Sequence, residues 1–169
     1  IAIFLNEDLK INSQKKLLDS TKSIFEPGEY EVNNIPVQSH AVKLNTENID
    51  ESTNIFSVIS EGMTICYLNE ISKITIPANV TESIGKIDIL ICISNDSSDQ
   101  SVESINSLLS SIDPKILIIA EKESKDETTE IYSKLIKGLG QSAEDPTSNT
   151  NITKSSLGDT LKVVNLRKS

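Results

Sequence analysis

Residues 86–120 read KIDILICISNDSSDQSVESINSLLSSIDPKILIIA, and this stretch decides the fold. KIDILICIS is a nearly continuous apolar run, as expected for a strand covered on both faces. Val102, Ile105, Leu108, Leu109 and Ile112 then recur on one face of a helix, with Asp99 placed to cap its start. Pro114 ends that helix, since proline brings no amide hydrogen and its ring clashes with the preceding turn. KILIIA is another buried strand. Strand, helix and strand in succession predict an α/β layered fold.

Reading outward from this stretch extends the pattern. Ser124 and Glu127 have capping-box spacing and open a helix with Ile131, Leu135, Ile136 and Leu139 inward; Gly138 and Gly140 stop it. Residues 141–150 form a polar loop, and residues 152–166 read as two short strands around Leu157-Gly158-Asp159. Upstream, NIFSVISEGMTICYL predicts two strands joined at Glu61-Gly62, a strong hairpin signal. A loop and short helix ending at Gly85 follow. Before these, the Pro27-Gly28 turn hands over to one strand through Tyr30, Val32, Ile35 and Val37, with Pro36 marking an edge or a bulge. Ile1 to Leu5 read as a buried strand, residues 13–22 as a short helix, and residues 22–25 as a brief strand. The sum is one domain over residues 1–169, with a mixed sheet covered by helices.

Composition narrows the function. Acidic residues outnumber basic ones by 25 to 16, so the net charge is −9 and a phosphate backbone would be repelled. Nucleic acid is therefore not an expected partner. No apolar run approaches the roughly 18–20 residues that span a bilayer, and no signal peptide is evident. The expectation is a cytoplasmic protein off the membrane. The chain starts at Ile1 in mid-strand, so upstream residues are expected to precede it. Cys66 and Cys92 sit inside apolar runs and read as buried free thiols.

Five strings occur in a familiar order: FEPGEYEVNNIPV, NIFSVISEGMTICYLNE, IGKIDILICIS, SLLSSIDPKILIIAEK and NITKSSLGDTLKVVNL. Together they resemble the small metallo-β-lactamase-fold hydrolases, Zn-dependent enzymes; the PGEYE turn is the most specific piece. The resemblance implies an αββα sandwich with mixed sheets, here N-terminally incomplete because the family's first strands have no counterpart. It also implies one or two metal ions at the sheet edges.

Carried over residue by residue, the family's metal chemistry disappears. Its HxHxDH signature falls on Asn6-Glu7-Asp8-Leu9-Lys10-Ile11, with no histidine and with Lys10 in place of the metal-binding aspartate. The later histidine falls near Leu44. The L-G-D that bridges two metals is Leu68-Asn69-Glu70, and a histidine beyond it falls near Lys73. The last histidine falls on Glu121, and a Gly-Gly pair on Asn95-Asp96. A hydrolytic zinc needs about three nitrogen or oxygen ligands plus an open position for water. The chain has one histidine, His40, off these positions, so zinc is not expected as a cofactor. The resemblance thus marks Asn6, Asp8, Lys10, Ile11, Leu44, Glu70, Lys73 and Glu121 as vestigial site positions without catalytic residues.

Two alternatives stay open. Asp8, Glu70 and Glu121 are hard oxygen donors suited to Mg²⁺ or Ca²⁺, which would support a residual hydrolase or lactonase. Lys10 and Lys73 would instead recognise a small anion in the vacated cleft. Against the first, Lys10 is available to pair with those acids and remove the need for an ion. Turns, caps and core strands survive while the catalytic positions are altered. The expectation is therefore a pseudoenzyme, not an enzyme, kept as a scaffold or interaction domain with a protein partner or by self-association. Asp88, in KIDIL, matches a family aspartate and reads as structural.

Overall fold

In the computed structural model, which describes residue 24 and residues 26–32, 34–43, 52–69, 74–93, 99–120, 125–140 and 145–166, the apolar run of KIDILICIS becomes an inner strand of a mixed sheet. Among the described residues there are seven strands: β1 (Gly28–Val32), β2 (Ile35–Lys43), β3 (Ser52–Ser60), β4 (Met63–Asn69), β5 (Ile89–Ile93), β6 (Ile116–Ala120) and β7 (Lys162–Leu166). Their order across the sheet equals their order in the sequence. β1 to β4 pair antiparallel, and β4 to β7 pair parallel.

The parallel connections run through α1 (Ala78–Ile84), α2 (Asp99–Ile112) and α3 (Lys125–Gly138). Each crossover advances the sheet by one strand in the same direction. Right-handed crossovers of that kind place their helices on a common face. The packing agrees: Val80 and Ile84 of α1, Ile105, Leu108 and Leu109 of α2, and Ile131, Tyr132, Leu135 and Ile136 of α3 join one core with Cys66, Leu68, Leu90, Cys92, Leu117, Ile119 and Val163. Leu117 is fully buried there, a burial that contributes about 1.5–3 kcal/mol.

The opposite face has its own apolar cluster of Met63, Ile89, Ile116, Ile118 and Val164. Residues 145–161 cross it as a strap, setting Ile152 and Leu157 against the cluster. The strap is tied to β7 by the Thr147 amide, which donates to the Asn165 carbonyl at 3.0 Å. Its Lys154 lies over the β3–β4 turn, where a Cβ added to Gly62 would come within 3.1 Å of Nζ. Phe56 and Tyr67 also belong to this face, stacked across β3 and β4 with ring centroids 6.4 Å apart, within the range of favourable aromatic pairs.

Two expectations are corrected. The single strand through Tyr30, Val32, Ile35 and Val37 is a hairpin, with Val32 opposite Ile35 and Tyr30 opposite Val37. Asn34 turns the chain at φ 63, a left-handed conformation that asparagine adopts more readily than most residues. Pro36 pairs with Glu31 of the edge strand and lies beyond the register shared with β3, so its missing amide costs no bond on that side. The second correction concerns residues 152–166. Only β7 is a strand; the earlier piece holds a 3-10 turn at Lys154–Ser156, closed by reciprocal Thr153 and Ser156 hydrogen bonds.

The remaining described elements follow the sequence. Glu61 and Gly62, both at positive φ, form the two-residue turn between β3 and β4. Gly85 closes α1 at φ 73, with its amide donating to the Thr81 carbonyl at 2.9 Å. Asp113 ends α2 at φ 44 just before Pro114. Asp99 is the first residue of α2, and its carboxylate accepts from Lys134 of α3 at 3.2 Å. The expected strand at 1–5, the helix at 13–22, the strand at 22–25 and the Ser124 cap fall outside the described residues or on their margin.

Candidate functional site at the carboxyl ends of the parallel strands

In open α/β sheets, ligands gather outside the carboxyl ends of the parallel strands, where loops of several strands meet. Here Asn69, Ile93, Ala120 and Leu166 are level in the register, so β4 to β7 end together. The loops leaving these ends are where the sequence places two candidate positions. Glu70 directly follows β4, and Glu121 directly follows β6. One intervening strand separates β4 from β6, which sets their ends about 10 Å apart. All eight candidate positions, Asn6, Asp8, Lys10, Ile11, Leu44, Glu70, Lys73 and Glu121, lie outside the described residues.

Immediately before this edge, on the helix-covered face, Leu68, Cys92, Ile119 and Asn165 form a row across β4 to β7. Three of the four are apolar or a neutral thiol. Asn165 is the exception: it is only 4% exposed, and its Oδ1 has no hydrogen-bond partner. The sequence signal was a lone polar residue in VVNL, inside a segment read only as a short strand. Buried amides ordinarily find partners, so this oxygen is a local cost to the fold.

His40 is in β2 opposite Ile55, and therefore on the face that carries the helix-side core. Two strands separate it from β5. Its Nε2 is buried without a hydrogen-bond partner. Nearby, the Ser57 hydroxyl donates to Gln38 Oε1 at 3.3 Å. Neither thiol lies opposite His40, and both cysteines are free and buried as the sequence indicated. Burial pushes the Cys66 thiol up to about 12 and the Cys92 thiol well above its ordinary value, Cys66 adding to the latter. A thiol held neutral in this way is neither a nucleophile nor a metal ligand. Tyr67 is pushed up to about 12 as well, first by burial and then by Cys92.

The amino ends of the same strands are stitched together. The Asp88 carbonyl accepts from the amides of Lys115 and Ile116, while its own amide donates to Thr64 O at 2.9 Å. Its carboxylate Oδ2 accepts from the Thr64 amide, also at 2.9 Å. The carboxylate thus holds the start of β4, while the Asp88 backbone joins the starts of β4 and β6, which fits the structural role its position suggested.

On the outer surface, an open groove of about 540 Å³ runs between α2 and α3, lined by Asp99, Val102, Glu103, Lys134, Lys137 and Gly138. Lys134 crosses it to Asp99 and also reaches Glu130, both at 3.2 Å. These hydrogen bonds, Glu130 first, raise the pKa of its ammonium. The arrangement joins two helices across solvent. Among the described residues, no group of three or more His, Cys, Asp or Glu side chains is placed to hold a metal ion. Among them, too, no helix is long and apolar enough to cross a membrane.

No protein-family model matches the sequence, and no curated protein does. A solved structure does: a candidate Zn-dependent hydrolase of the metallo-β-lactamase superfamily from Thermotoga maritima, at a TM-score of 0.61 and 17% identity. The match covers 85% of this chain and 71% of that one. With a mixed sheet and helices on one face among the described residues, the chain has an α/β fold of the metallo-β-lactamase type.

Proposed function

We propose that this chain is a pseudoenzyme: a metallo-β-lactamase-like domain kept for its shape and contacts, working in the cytoplasm as a scaffold or interaction domain. One observation carries the reading. The chain has a single histidine, and His40 is committed to β2 opposite Ile55, on the helix-covered face. A zinc centre built mainly from imidazoles has no residues to build it. Among the described residues the seven-stranded sheet and its two apolar clusters are nevertheless formed, and that combination favours a use which depends on the surface. An acidic chain of net charge −9 favours a protein partner, or a second copy, over nucleic acid.

Elemental mass spectrometry on protein purified without chelator tests the proposal, together with size-exclusion chromatography of the native extract. The expected result is no stoichiometric zinc, no effect of chelator on thermal stability, and elution in a complex larger than the single chain. Zinc-loaded protein with hydrolase activity would overturn it. About one Mg²⁺, Ca²⁺ or Mn²⁺ per chain, lost in Glu70→Gln, would instead establish an oxygen-ligated site.

A further inference from the structure

We draw no further inference here: the strongest candidate, the face of the sheet opposite the described helices, around Phe56, Val58, Ile65 and Ile91, carries nothing, because nothing among the described residues shows what lies over it beyond the strap of residues 145–161.

Discussion

The two halves of the sheet meet at β4 and are built on different terms. From β4 to β7, apolar side chains fill both faces: Leu90 and Cys92 point to the helices, while Ile89 and Ile91 belong to the other face. Among the described residues of β1 to β3, buried hydrophobic side chains are few, Val42 and Ile55, and polar groups share the interior. Ser39 and Ser57 are almost fully buried, and the Ser39 hydroxyl and His40 Nε2 have no hydrogen-bond partners. Parallel strands need crossover helices and so are covered by construction, whereas hairpins can leave a face open to water. The parallel half therefore carries most of the hydrophobic stabilisation, and the hairpin half is held largely by its turns and ladders.

Alkaline pH attacks the parallel half and is expected to have the largest effect. Cys66, Cys92 and Tyr67 all have folded-state pKa values raised above their unfolded values. The folded state binds these protons more tightly. Their contribution is fully present below the unfolded thiol value of 9.0 and is lost as pH rises toward the folded values. Thermal denaturation followed by circular dichroism should show a steady melting temperature to about pH 8.5 and a steep fall beyond it. The double variant Cys66→Ala, Cys92→Ala should flatten that fall. An unchanged slope would mean the thiols are more accessible than their burial indicates.

Leu117→Ala tests the same half by subtraction. It leaves a cavity between β6 and the helices and should cost about 2–5 kcal/mol in urea unfolding. Ser57→Ala in the hairpin half loses a single 3.3 Å hydrogen bond and should cost at most about 1.5 kcal/mol. Equal losses at the two sites would break the contrast between the halves.

Asp88→Ala removes the carboxylate that accepts from Thr64. A cost of about 1–3 kcal/mol is expected, because a part-buried amide is left unpaired. Hydrogen exchange should then quicken at the start of β4, around Thr64, more than in β2. Uniform acceleration would show that Asp88 acts on global stability alone.

Gly62→Ala sharpens the view of the turn. A side chain at φ 73 costs about 1–2 kcal/mol. Lys154 Nζ, the flexible end of its side chain, can move away from the added Cβ. Chemical denaturation should therefore register the backbone strain with little contribution from the contact, and adding Lys154→Ala should not restore stability.

Much of the parallel half was legible in the sequence, since long apolar runs, helical periodicity and proline or glycine stops all pointed one way. β5, α2, β6 and α3 follow from these signals. The hairpin half was less legible for a definable reason. The step from Val32 to Ile35 breaks strand alternation, and only a two-residue turn returns both side chains to one face. That odd step, with Asn34 inside it, was the available signal. The candidate site was legible only as a set of substituted family positions, since polar residues outside a helical or strand period carry no spacing signal, and all eight lie outside the described residues.

The sequence by itself determined the order and type of most elements, the neutral thiols and the shortage of imidazoles, because these depend on local spacing and residue chemistry. Only the tertiary structure decided that the three described helices share one face, that residues 145–161 strap the other, and that His40 sits opposite Ile55. Those outcomes depend on crossover handedness and strand register, which join residues far apart in the chain and leave no local mark in it.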